Sequence, residues 1–243
     1  MRRLAVAVTL VLVLVVTACG DDSSEDGAST TTGAPTTTAA APSSTEPTST
    51  TLPGTPIDIA PRADARLAVV GVAADDVLNV RRGPGVDFDV VTTLAPLADD
   101  VVALGENRQL DSGAVWAHVR ADGAEGWANI AFLAQLGATT DETAALYPAV
   151  ADRPAADDLS ALAEAVAADV ASTEPVSDVT IVDGPTEGDL GEVTVDVIGI
   201  GDDSVGGYRL HLFADRDGDG WRLRTVEQTV LCSRGVDDQG RCA

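Results

Sequence analysis

The sequence predicts a small all-β barrel followed by a small α+β domain, in which one helix packs on a four-stranded, mainly antiparallel sheet, behind an unfolded leader. Three observations lead there. Residues 66–130 break into short runs rich in Val, Leu and Trp, separated by Gly, Pro and Asp, the spacing of strands in a small barrel. Residues 155–172 repeat apolar side chains at helical intervals, and four longer apolar runs follow, an order that a helix-covered sheet satisfies. Residues 21–56 are mostly Thr, Ser, Ala, Pro and Gly, with too little apolar surface to offset chain entropy.

At the N-terminus, Arg2 and Arg3 precede an aliphatic run over residues 4–16, and Val16-Thr17-Ala18-Cys19 follows directly. A short positive segment, an apolar stretch and small residues form a secretory signal layout. The run is shorter than the roughly 20 apolar residues that a bilayer crossing needs. The tetrad resembles the lipobox of bacterial lipoproteins. That resemblance implies residues 1–18 as a signal peptide, a diacylated Cys19 at the start of the mature chain, and anchoring at the extracytoplasmic face of the cell membrane. An ordinary secretory peptide cleaved near Ala18 is the alternative. Two acyl chains suffice for stable anchoring, at about 0.8 kcal/mol per buried methylene. Residues 19–60 then form a tether, whose ~36 low-complexity residues span ~35 Å as a flexible coil.

Residues 61–138 carry the first folded unit. Its predicted strands cover residues 66–72, 76–81, 89–94, 100–104, 115–120 and 126–130. Leu78 and Val80 alternate with Asn79 and Arg81, the pattern of a half-buried strand. Gly83-Pro84-Gly85 sets a fixed φ between two permissive residues, so the chain turns sharply there. A phosphate loop would need a helix after the glycines; another strand follows instead. Leu78-Asn79-Val80-Arg81-Arg82-Gly83-Pro84-Gly85, then Trp116-Ala117-His118-Val119, then Asp122-Gly123-Ala124-Glu125-Gly126-Trp127-Ala128, in that order, resemble the bacterial SH3 domain pattern over residues 66–137. The chain departs from that pattern at Arg82, where serine is usual, and at Pro96-Leu97-Ala98, which lacks the usual glycine.

The resemblance implies an SH3-like barrel that binds cell-wall peptide or an envelope protein without catalysis. Asn79, Arg81, Arg82, Trp116 and Trp127 are the candidate ligand-binding residues. For the arginines, solvated charges or surface ion pairs worth ~0–1 kcal/mol are the alternative. For Trp116 and Trp127 the alternative is an inward position in the barrel core.

Residues 139–243 form the second unit. Leu159, Leu162, Val166 and Val170 fall at helical spacing, and Asp157 and Asp158 stand at the helix start, where acids suit the dipole. Four strands are predicted over residues 176–182, 191–200, 208–214 and 221–232. Cys232 and Cys242 are the even pair left once Cys19 is lipidated, so an extracytoplasmic chain should join them in a disulfide. Residues 215–220, Asp-Arg-Asp-Gly-Asp-Gly, match the first half of a calcium loop, but position twelve is Val226 rather than Glu; a hairpin turn is the competing reading. Arg209, His211, Arg222 and Arg224 share one sheet face by alternation, as an anionic-ligand or partner patch, or as partners of Glu192 and Asp196.

Fifteen basic residues against 39 acidic ones leave a formal net charge of -24, a field that repels nucleic acid. His118 and His211 both lie in strand patterns and no nucleophile elbow is present, so no catalytic residue, metal or cofactor is assigned. The expected function is a lipid-anchored, non-catalytic binding module of the cell envelope. The alternative is a regulator or inhibitor docking on an envelope enzyme through the C-terminal unit.

Overall fold

Side chains that alternate between burial and exposure build most of this protein, and the computed structural model describes residues 51–243. The lipobox-like tetrad with Cys19 and residues 19–50 of the expected tether lie outside the described residues. The strands are β1 (Thr55–Ile57), β2 (Arg66–Val69), β3 (Leu78–Arg81), β4 (Val90–Leu94), β5 (Val101–Gln109), β6 (Val115–Ala121), β7 (Ala124–Asn129), β8 (Leu133–Asp141), β9 (Ala155–Ala156), β10 (Asp178–Glu187), β11 (Gly191–Ile198), β12 (Val205–Asp217) and β13 (Gly220–Cys232). Two helices, α1 (Thr143–Leu146) and α2 (Leu159–Ala168), interrupt them.

All thirteen strands join one antiparallel sheet in the order β10-β11-β12-β13-β8-β2-β5-β6-β7-β3-β4, with β1 on β5 and β9 on β13. This overturns the expected fold class of an SH3-like barrel followed by a small α+β domain. The cause is β8. Its first residues pair with β2, Leu133 opposite Val69 and Ala134 opposite Ala68. It then continues past residue 138 and pairs with β13, Thr139 opposite Thr229 and Glu227 opposite Asp141. Its two ends thus pair with strands of different halves, so backbone hydrogen bonding runs through the expected break. The order at the N-terminal side also begins earlier than expected. β1 lies in the expected tether and pairs with β5, while Arg108 donates to the carbonyls of Leu52, Pro53 and Gly54.

Three apolar clusters line the sheet. One gathers Leu67, Val69, Leu78, Val80, Val101 and Val119 between the strands of the first half. A second places Leu159, Leu162 and Val166 of α2 against Val193, Val195, Leu210, Leu212 and Leu223. The helix therefore covers one face of β10–β13, as its apolar stripe requires. Asp158 caps it, accepting from the Ala161 amide at 2.8 Å, which satisfies one of the free donors at the helix start. The third and smallest cluster, Val70, Ala134 and Leu231, sits where the two halves meet.

At the far end of the second half, Asp217 opposite Gly220 closes the β12–β13 hairpin, with Gly218 at φ 62°. The acidic hexapeptide is thus a turn. Cys232 and Cys242 form a disulfide across ten residues of sequence. The loop it closes lies on β8: Ala138 donates to the Gly240 carbonyl at 2.7 Å. A Cβ at Gly137 would stand 2.6 Å from that oxygen, so only glycine admits the loop there.

Opening the disulfide frees this loop. Cys242→Ser should lower unfolding free energy by ~3 kcal/mol, the chain-entropy value for a loop of this size, read as a lower urea midpoint. Alkali gives a second prediction. The Tyr147 hydroxyl is buried and donates to Asp169 at 2.5 Å; burial first, and the carboxylate second, push its pKa well above the ordinary phenol value. The stability this confers is present below pH ~10 and lost as pH rises beyond it, by at most about 1.4 kcal/mol per pH unit. Tyr147→Phe should remove that component from a stability curve measured above pH ~10.

Candidate functional site

The motif Leu78-Asn79-Val80-Arg81 becomes β3, with Leu78 and Val80 buried and Asn79 and Arg81 half-buried on the other face. The turn after it is built tightly. Gly83 lies under the Phe88 ring, where a Cβ would come within 2.6 Å, and Gly85 adopts φ 137°. The Arg81 Nη1 donates to the Phe88 carbonyl at 2.8 Å, and the Arg82 amide donates to the Asp89 carbonyl at 2.9 Å. Across the strand, a Cβ at Gly126 would meet the Arg81 carbonyl at 2.6 Å. The glycines are therefore shape, while one arginine serves both shape and the groove beside it.

That groove, about 440 Å³ in volume, is bordered by Asn79, Arg81, Trp116 and Asn129. Its apolar rim is Val77, Val86 and Phe132, all left exposed, Val86 by 71%. Thr180 of β10 lines it too, so the second half completes a groove begun by the first. The loop before β3 is fixed to β10 by a hydrogen bond from the Ala74 amide to the Ile181 carbonyl at 3.0 Å.

The two tryptophans occupy neither of their expected places in full. On β6, Ala117, Val119 and Ala121 join the core, which turns Trp116, His118 and Arg120 to the opposite face. On β7, Ala128 is in the core and Trp127 faces away from it. Both rings are nonetheless nearly covered, 4% and 3% exposed. Trp127 stacks on His118 with centroids 5.0 Å apart. Trp116 differs: its indole N–H is buried, has no hydrogen-bond partner among the described residues, and the ring lines the groove. A buried donor left unmade costs about 1–3 kcal/mol.

Of the five candidate ligand-binding residues, Asn79, Arg81 and Trp116 are brought together on the groove, and Arg82 and Trp127 are not among its lining. Asn129 and Thr180 complete it without any sequence motif to mark them. Neither Arg81 nor Arg82 has an ion-pair partner among the described residues.

The second candidate patch is neutralised from within. Arg222 pairs with Asp217 at 2.6 Å, Arg224 with Asp215 at 3.4 Å, and His211 stands 3.8 Å from Glu192. Arg209 holds Asp196, which is wholly buried, through two bonds of 2.7 and 2.8 Å. The same guanidinium donates to the Val69 carbonyl, and the Gly71 amide donates to Asp196, each at 2.8 Å. This group joins the two halves of the sheet. Elsewhere, no three His, Cys, Asp or Glu side chains among the described residues are grouped as metal ligands would be, and none of the described helices is long and apolar enough to cross a membrane.

No protein-family model, curated protein or solved structure matches the chain. Its likeness to bacterial SH3 domains therefore rests on the three motifs quoted above.

Removing one member of the buried pair should be severe. Asp196→Ala leaves a mostly buried guanidinium without its carboxylate, at a cost of ~3–5 kcal/mol. The expected result is a lower urea midpoint, with amide exchange accelerated in β2 and β11 together.

Proposed function

We propose that the protein is a lipid-anchored, non-catalytic binding module of the cell envelope, and that the groove beside Arg81 holds its ligand, a cell-wall peptide. One observation carries this reading: Arg81, a guanidinium without an ion-pair partner among the described residues, borders an open groove together with Asn79, Asn129 and the Trp116 ring. Wall peptides present carboxylates and amide carbonyls, the acceptors that a guanidinium and side-chain amides take. The exposed apolar rim of Val77, Val86 and Phe132 adds the desolvating wall common to small-ligand sites. The lipobox-like Val16-Thr17-Ala18-Cys19 and the Thr-rich segment after it support attachment at the extracytoplasmic membrane face, with the folded part held at wall depth.

The competing idea, docking of an envelope enzyme through Arg209, His211, Arg222 and Arg224, receives less support. Each of those side chains already faces an acid of its own sheet.

Sedimentation with purified cell walls tests the reading. Arg81→Ala, which removes the guanidinium from the groove, should weaken wall binding about fivefold or more. Wild-type protein that stays in the supernatant at low salt would overturn the proposal.

A further inference from the structure

The groove continues past Thr180. Ala73 and Thr180 also border a second open hollow, of about 520 Å³, whose walls include Asp75 and Glu164. Glu164 projects from α2, Asp75 from the loop before β3, and Thr180 from β10. The two hollows share a wall and form one channel across the junction of the halves.

Charge reverses along this channel. Arg81 lines the first hollow, Asp75 and Glu164 the second, and Asp76, next to Asp75 in sequence, adds a third acid to the lining of the first. All three acids are exposed, and none has an ion-pair partner among the described residues. The Asp76 carboxylate also accepts from the Val77 amide at 2.7 Å. A polyanion would be repelled by the acidic end and a polyamine by Arg81. A ligand with one charge of each sign, separated by an uncharged stretch, satisfies both ends. Between them, the groove offers Asn79 and Asn129, whose amides both donate and accept, as a peptide backbone needs.

We infer that the channel takes a short extended peptide, its terminal carboxylate against Arg81 and its free amine toward Asp75 and Glu164. This deepens the reading of the groove as the ligand site and rests on it. It assigns a polarity to the ligand and brings residues of the second half into recognition. The exposed acidic end contributes less per contact than the half-buried Arg81 end, because water screens it.

Titration calorimetry on the purified protein with three forms of one tetrapeptide, Ala-Ala-Ala-Leu, provides the test. The peptide with both ends free should bind tightest. Its C-terminal amide should bind about tenfold more weakly, having lost the charge-assisted bond to Arg81. Its N-acetyl form should bind ~3–5-fold more weakly, the range of an exposed ion pair. The double variant Asp75→Asn/Glu164→Gln should erase the difference between free and acetylated peptide and keep the difference made by the amide. Equal binding of the free and acetylated forms overturns the inferred polarity and leaves the groove as a ligand site. If walls sediment the protein yet none of the three peptides binds, the dipolar peptide is wrong and the wall reading stands; if walls fail as well, both fall.

Discussion

A carboxylate with no exposure at all persists in this sheet because three donors surround it. Asp196 accepts twice from Arg209 and once from the Gly71 amide. Isolated burial of such a charge would cost several kcal/mol and would favour its protonation. The two side chains stand directly opposite one another on β11 and β12, so their pairing within the second half follows from strand register alone. The remaining bonds are the consequential ones. They reach Val69 and Gly71, at the end of β2, 140 and 125 residues away in sequence. Strand β2 is also the strand that links β5 to β8. The ion pair thus fixes the end of the strand through which the first half connects to the second, and the Val70, Ala134 and Leu231 cluster packs beside it.

The same economy of charge separates the two arginine-rich regions. Nearly every exposed arginine of the second half finds an acid: Arg216 with Glu187, Arg234 with Asp203 and Arg241 with Asp237, as well as those of the patch. Individually such pairs are worth little. Collectively they remove free positive charge from that surface, and Arg216 further spends its guanidinium on the Trp221 ring, 3.8 Å from its centroid. Arg81 and Arg82, beside the groove, have no such partner among the described residues.

Much of this was legible from residues. Leu78 and Val80 read correctly as inward, Leu159, Leu162 and Val166 as the buried stripe of a helix, and Cys232 with Cys242 as a disulfide. The sharp turn at Gly83-Pro84-Gly85 followed from its permissive glycines, and Gly85 adopts φ 137°. The single sheet did not, because β8 reads Leu-Ala-Gln-Leu-Gly-Ala-Thr-Thr-Asp, with no strong alternation; it is a strand through what pairs with it on either side. β1 failed for the same reason, since Thr-Pro-Ile inside a Thr/Pro tract carries no pattern of its own. The tryptophans were a matter of parity. Trp116 shares its face with His118 and Arg120, and Trp127 with Glu125 and Asn129; following the charged neighbours rather than the size of the rings would have turned both outward. Thr180 and Glu164 could not be placed from sequence, because only tertiary contact brings β10 and α2 to the groove.

That last point bears on what the fold is for. A groove bordered by β3 alone would be open along one side. The hydrogen bond from Ala74 to Ile181 seats the preceding loop on β10, Thr180 then lines the groove, and α2 brings Glu164 to the adjoining hollow. Each of these contacts depends on β10–β13 being held against β2 and β8, which is the work of the Asp196 and Arg209 pair and of the disulfide loop lying on Gly137 and Ala138. Cutting the chain near residue 138 would sever β8 halfway and strip the groove of one wall, although every motif of the first half would remain. The recognition surface therefore belongs to the joined sheet, and the long-range bonds that look purely structural are what give it its second wall.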